Sequence, residues 1–243
     1  MEIRDEQERL SAKTLALGIA GEHRSALLRA VSHDLRTPLT TIQAVISDLR
    51  DGTEYDPAAQ DEMLDLVADE AERLARLVAN LLSMSRIDAG VLLPERQAIP
   101  LEELFEACVK RHSRLVRDRK VAFDVALTLP LVDADWTLVD QVLTNLLANA
   151  VRHAPIGSRI DLAARRRSET MVEVSVADQG PGIPLELAEA VFTPFRKGPG
   201  SSSSGVGLAI ARAIVEAHGG TISIGEARRG GARVVFTLPV HGA

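Results

Sequence analysis

Val31-Ser-His-Asp-Leu-Arg-Thr-Pro-Leu39 sits inside a run of aliphatic residues with helical spacing. Leu28, Val31, Leu35, Ile42, Val45 and Leu49 are separated by three, four, seven, three and four residues. That is the a/d pattern of a helix burying one narrow seam against other helices. With Leu28 at a and Val31 at d, His33 falls at f, farthest from the seam. Asp34 is beside it and Thr37 lies one turn along the same face. Pro38 removes a backbone donor and predicts a kink about one turn after the histidine. A helix face that should be bland and charged carries an imidazole instead.

The chain around this helix has 243 residues, enough for two domains. Aliphatic residues fill its core, because 46% of the chain is hydrophobic and only 3% aromatic. A net charge of −6 argues against nucleic acid as a partner, since phosphate backbones want a basic surface. The single cysteine, Cys108, rules out an intrachain disulfide and reads as a buried core thiol. No run approaches the roughly 18–20 apolar residues of a membrane span. These features predict a cytoplasmic chain without a membrane segment of its own, compatible with a longer, membrane-anchored parent.

Read in order, residues 1–20 resemble the tail of a helix arriving from upstream. Residues 21–90 form one domain. Its first helix is predicted from Glu22 to Arg50, and Asp56-Pro57 opens the second. Met63, Val67, Leu74, Leu77, Leu81 and Met84 repeat the heptad spacing, and Gly90 ends it. Two such helices make a hairpin with one apolar seam each. A second copy about a two-fold axis would complete a four-helix bundle, so the pattern predicts a homodimer. Residues 91–100 read as a linker. Over 101–243 the pattern turns to helices mixed with strands, an α+β arrangement. Helices are expected over Leu101–Arg117, Asp135–His153, Leu185–Val191 and Gly207–His218. Strands are expected over Val121–Leu129, Leu131–Ala134, Arg159–Arg165, Met171–Ala177, Thr221–Gly225 and Ala232–Leu238.

Four stretches of this second region carry chemistry. In Asn145-Leu-Leu-Ala-Asn-Ala-Val-Arg-His153, Asn145 and Asn149 are four apart and share a helical face. Their amide oxygens suit Mg²⁺, a hard cation. Asp178-Gln-Gly-Pro-Gly-Ile-Pro184 follows a strand. Its glycines let the backbone approach a flat ring, and Asp178 can accept from an exocyclic amine. Phe192-Thr-Pro-Phe-Arg-Lys197 is the third stretch. Gly205-Val-Gly-Leu-Ala-Ile210 opens a helix whose N–H groups and dipole suit a phosphate chain.

The string Ser32-His-Asp-Leu-Arg-Thr-Pro-Leu39 resembles the phosphoacceptor box of sensor histidine kinases. The four later stretches, in this order, resemble the N, G1, F and G2 boxes of the Bergerat (GHKL-type) ATPase domain of histidine kinases, gyrase, Hsp90 and MutL. Together the resemblance covers all but about the first twenty residues. It implies a dimerisation and histidine-phosphotransfer bundle followed by an α/β-sandwich ATP-binding domain. By that resemblance Asn149 binds Mg²⁺ with Asn145 assisting, and Asp178 reads the adenine amino group. Gly180 and Gly182 shape the base pocket, while Gly205, Gly207 and Leu208 belong to the phosphate side. Arg152 and Lys197 would contact phosphates, and residues 198–204 would be the ATP lid. His33 would take the γ-phosphoryl group of ATP and pass it to an aspartate on a response regulator receiver domain. Asp34 would act as general base, and Thr37 would serve regulator dephosphorylation.

Some positions depart from the pattern. His153 stands where tyrosine is frequent, Trp136 where arginine is common, and Gly205-Val-Gly-Leu-Ala-Ile210 is poorer in glycine than usual. The two ends together look nearest to the Kdp-like sensor kinases. Two rival readings compete with a kinase. A catalytically weak GHKL-type ATPase would not need the histidine string. A regulator-docking scaffold would be expected to have damaged asparagine or glycine boxes, and these are intact.

Overall fold

A computed structural model of the chain describes residues 34–51, 53, 55–194, 205–227 and 230–243. The chain forms two compact units, one reaching to Leu77 and one beginning at Val78. His33 and the expected helix start at Glu22 lie outside the described residues, as do Lys197 and the expected lid over 198–204.

In the first unit, helix α1 covers 34–50 and a second helix, α2, runs Pro57–Asp88, its first part belonging here. Asp56 starts α2 as predicted. Its Oδ1 accepts from Ala59 N at 2.9 Å, with Pro57 at the first helical position, where a missing N–H costs nothing. The turn between the helices is tied by Tyr55 Oη donating to Asp48 Oδ2 at 2.7 Å. The seam residues Leu35, Ile42, Val45, Leu49, Met63, Val67, Leu74 and Leu77 are only half-buried in the single chain. Each helix has a stripe of the predicted period, and one hairpin cannot cover it.

The second unit is the α+β domain. Five strands form one sheet: β2 (Lys120–Val125), β4 (Arg159–Arg166), β5 (Met171–Ala177), β7 (Ala232–Pro239) and β6 (Ile222–Glu226), in that spatial order. β2 and β4 are parallel, and every other pair is antiparallel. Every second residue faces the core. Ile160, Leu162 and Ala164 line up with Val172, Val174 and Val176, then with Val234, Phe236 and Leu238, all buried. Helices α3 (Leu101–Arg111), α5 (Trp136–His153) and α6 (Gly207–Ala217) cover that face, and a short α4 (Ser113–Val116) follows α3. Cys108 is buried as expected, and burial pushes its thiol up to about 12, which leaves it inert.

Three expectations are corrected. The linker holds a strand, β1 (Gln97–Ile99), paired antiparallel with β3 (Val132–Ala134). Three residues are too few for alternation to show. The strand expected over Val121–Leu129 ends at Val125, where a turn from Ala126 to Leu129 leaves Leu127 fully exposed. The helix expected over Leu185–Val191 is instead two 3₁₀ turns, Leu185–Leu187 and Ala190–Phe192. Of the side chains described there, Phe192 alone is buried, so no apolar stripe exists to hold a full helix.

Candidate functional site

The site is built around α5. Its start is capped by Asp135, whose Oδ1 accepts from Leu138 N at 3.1 Å. Asp135 N in turn donates to Nε2 of His218, at the end of α6, at 2.9 Å. An accepting Nε2 requires the proton on Nδ1, which lies 2.8 Å from Ile214 O and donates to it. His218 is fully buried, and burial lowers its pKa below the ordinary histidine value. The far end of α5 is held by Arg119, whose Nη2 donates to Val151 O and Ala154 O, both at 2.8 Å. Both ends of the asparagine helix are thus fixed by side chains from other elements.

Asn145 and Asn149 lie one turn apart on this helix, the first buried and the second half-buried. The first turn of α6 passes directly against Asn145. A Cβ placed on Gly207 would sit 3.5 Å from Asn145 Cγ, so any larger side chain would fill the space between the helices. Among the described residues no side chain caps the start of α6, and Gly205 before it has φ +70°. The first N–H groups of α6 therefore have no acceptor within the helix. Arg212 braces α6 against the turn containing Phe192. Its guanidinium lies 5.6 Å over the Phe192 ring and pairs with Glu189 at 2.9 Å. Leu208, on the same first turn, packs against the hydrophobic core.

The loop after β5 forms the other side of the candidate site. Asp178 is 6% exposed, and its Oδ1 accepts from Gly180 N at 2.8 Å and from Ala232 N at 3.2 Å. One carboxylate oxygen is thereby anchored by two backbone N–H groups. Gly180 is required by space, since a Cβ there would meet His153 O at 2.8 Å. Gly182 has φ +78° and sits against Gly231. Gly231 has φ +88°, and a Cβ on it would come within 2.1 Å of Asp178 O. Gly231 lies in the turn between the strands read over Thr221–Gly225 and Ala232–Leu238. The adjacent Gly230-Gly231 pair was the one signal, and only the β5–β7 pairing brings it to Asp178. His153 is drawn below the ordinary histidine pKa by its partial burial and by Arg152, with Asp178 opposing.

The structure thus brings Asn145 together with Gly207, and Asp178 with Gly180, His153 and, through Gly231, Gly182. Arg152 is exposed at the end of α5, and Asn149 shares its helix with Asn145. Asp34 and Thr37 belong to the first unit, Asp34 buried at 5% exposure and Thr37 exposed. Two residues that the sequence did not single out also reach the site. Asn80 and Ser83 stand on the last turns of α2, which belong to the second unit. Asn80 Nδ2 donates to Asn145 Oδ1 at 3.1 Å. Among the described residues no cluster of His, Cys, Asp or Glu could hold a metal, so a cation here would rely on amide oxygens.

Comparison with known proteins agrees with this geometry. Residues 23–90 match the His Kinase A (phospho-acceptor) domain, and residues 134–242 match the histidine kinase-, DNA gyrase B- and HSP90-like ATPase. The chain is 38% identical over 233 residues to the sensor protein KdpD of Mycobacterium tuberculosis, covering 92% of this chain and 27% of that protein. The chain thus spans about a quarter of that relative's length. Full-length ShkA in complex with AMPPNP is 25% identical, with TM-score 0.63 over 87% of this chain and 45% of that one. Histidine kinase ThkA in complex with the response regulator protein TrrA is 27% identical, with TM-score 0.58 over 86% of this chain and 60% of that one. A phosphoacceptor domain followed by a GHKL-type ATPase domain, with both box sets in order and the α/β fold that carries them, places this chain in the sensor histidine kinase family.

Proposed function

We propose that this chain is the catalytic core of a sensor histidine kinase that phosphorylates its own His33 from ATP and passes the phosphoryl group to a receiver-domain aspartate. The observation that carries the ATP site is the buried Asp178, anchored through Oδ1 by two backbone N–H groups. An adenine amino group is the donor that fits it, and the start of α6 supplies N–H groups for phosphate oxygens. The ATP-analogue complex of ShkA and the regulator complex of ThkA support the same assignment of ligand and partner. Asn149 fits Mg²⁺ as an amide-oxygen ligand, because Mg²⁺ is bound by few protein groups and completes its shell with waters and phosphates. When bound, Mg²⁺ neutralises phosphate charge.

The chain's own residues do the rest by positioning. Asp178, Gly180 and Gly182 seat the base, and Gly205, Gly207 and Arg152 face the phosphates, with Lys197 joining them. His33 Nε2 attacks the γ-phosphorus, the bond to the β-γ bridging oxygen breaks, and ADP departs with that oxygen. Asp34 accepts the hydrogen bond of the other ring nitrogen and removes its proton, while Thr37 orients water in dephosphorylation of the regulator. The half-buried seams of α1 and α2 are covered by a second copy, giving a homodimer. Among the described residues no helix is long and apolar enough to cross a membrane, and the core acts in the cytoplasm, free or tethered to an anchored parent.

Incubating the chain with γ-labelled ATP tests this reading. Acid-labile label that disappears in His33→Gln, with nucleotide affinity retained, is the expected result. Label that persists in the variant sinks the assignment.

A further inference from the structure

Asn145 is held by a chain of hydrogen bonds that reaches back to α2. Ser83 Oγ donates to Gln141 Oε1 at 2.8 Å, and Gln141 Nε2 donates to Asn80 Oδ1 at 3.1 Å. Asn80 Nδ2 then donates to Asn145 Oδ1 at 3.1 Å. The spacing is that of two helices side by side: Asn80 and Ser83 on α2 against Gln141 and Asn145 on α5. Met84 and Ile87, further along α2, pack against the core beneath. At the end of the chain, Asn145 is 9% exposed, and its Nδ2 is buried without a hydrogen-bond partner among the described residues. A buried amide donor left unmade is costly, so a ligand acceptor at that position is favoured.

Every member of this relay can both donate and accept. The relay therefore has two polarities at the same heavy-atom positions. In the observed one, Asn145 turns its oxygen to Asn80 and its N–H to the site, which suits a phosphate oxygen. Turning the three carboxamides over together reverses every bond. Ser83 then accepts, Asn145 Nδ2 donates to Asn80, and Asn145 Oδ1 faces the site, which suits a hard cation.

We propose that Ser83, Gln141 and Asn80 are positioning residues for the nucleotide site, and that the polarity of their relay decides which end of the Asn145 carboxamide meets the nucleotide. The proposal rests on the Mg²⁺-ATP reading given above. By linkage, a ligand that prefers one end of Asn145 biases the bonds made by α2, and the bonds made by α2 bias that ligand equally.

Gln141 allows the test, since it is half-buried and two links from the site. Gln141→Glu can only accept, so Asn80 must donate to it and Asn145 must donate to Asn80, turning Asn145 Oδ1 into the site. Gln141→Lys can only donate and pins the observed polarity. Gln141→Met breaks the relay without charge. For each variant of the 243-residue chain, calorimetry gives the affinity for a non-hydrolysable ATP analogue with Mg²⁺ and with EDTA, and the ratio is the Mg²⁺ factor. Gln141→Glu is expected to raise that factor at least about threefold over Gln141→Lys, with Gln141→Met between them. The spread should persist in about 0.5 M salt, where a charge acting at a distance is screened. Equal factors in all three variants, or a spread that vanishes in salt, would overturn the relay. A parent chain with no Mg²⁺ factor at all would overturn the site reading and the relay with it.

Discussion

Gly231 shows how a single residue without functional atoms can control a site. Its φ of +88° and the 2.1 Å approach of any Cβ to Asp178 O mean that alanine there must push the β5 end away. Gly230 has φ +79° but nothing within 4 Å of a Cβ. Both changes carry the left-handed backbone penalty of about 1–2 kcal/mol. Gly231→Ala adds the clash, so it should lower the denaturation midpoint further and weaken nucleotide binding, which Gly230→Ala should spare. Urea melts and nucleotide calorimetry on the pair check this, and equal nucleotide affinities would refute it. On the phosphoacceptor helix, Asp34 is buried whereas Thr37 is exposed. Burial of Asp34, the residue after His33 in sequence, departs from the solvated surface charge expected on an exposed helix face. Asp34→Asn is expected to cut autophosphorylation by roughly 10²–10⁴, the worth of a general base. Thr37→Ala should leave that rate alone and slow regulator dephosphorylation. Loss of both rates in both variants would defeat the division.

At the scale of elements, His218 joins α5 and α6, the two helices that carry Asn145 and Gly207. It accepts from Asp135 N, the start of α5, and donates to Ile214 O within α6. Burial lowers its pKa, Arg96 acts in the same direction, and Asp135 and Asp133 oppose. The unfolded chain therefore binds this proton at a higher pH than the folded one does. Stability is complete above the ordinary histidine pKa of about 6.5 and falls as pH drops through that value toward the lower folded one. His218→Asn keeps a neutral polar side chain and cannot titrate. Urea midpoints between pH 7.5 and 5.5 should fall less steeply in the variant, and parallel slopes would contradict the assignment. Much at this scale was legible in the sequence. The alternation of β4, β5 and β7 and the spacing of α5 each encode a buried face, so their bounds were read nearly as found. The misreadings came where period carries no information. β1 has three residues, the Phe192 region buries one described side chain, and the end of β2 depends on a turn. The Asn80 contact was beyond reach for another reason. Helical spacing predicts which face of α2 is apolar, but not that a polar residue on it meets α5 across 65 residues of sequence.

Among the described residues, the first unit has no closed core of its own, whereas the second has one. The buried cluster runs from Ile99 to Leu238 and lies entirely in the second unit. In the first unit the seam residues remain half-buried, and Leu39, Ile46, Leu64 and Leu66 are exposed. Burying a leucine or valine side chain fully is worth about 1.5–3 kcal/mol, so a hairpin with this much wet apolar surface is stable only when another copy covers it. The two units should therefore respond differently to one change. Val67 and Leu74 are seam positions of α2 within the first unit, upstream of the turns that carry Asn80 and Ser83. A Val67→Glu, Leu74→Glu double variant puts two carboxylates into the seam, where each would be desolvated next to its symmetry mate. Sedimentation should then show a monomer, and helical signal should fall by about the content of α1 and the first part of α2. The affinity for a non-hydrolysable ATP analogue should stay within about twofold, as expected for sites without shared partners. Autophosphorylation should be lost, because His33 immediately precedes in sequence the helix that has melted. A variant that stays dimeric would remove the seam as the interface. A monomer that no longer binds nucleotide would show that the second unit does not stand on its own core.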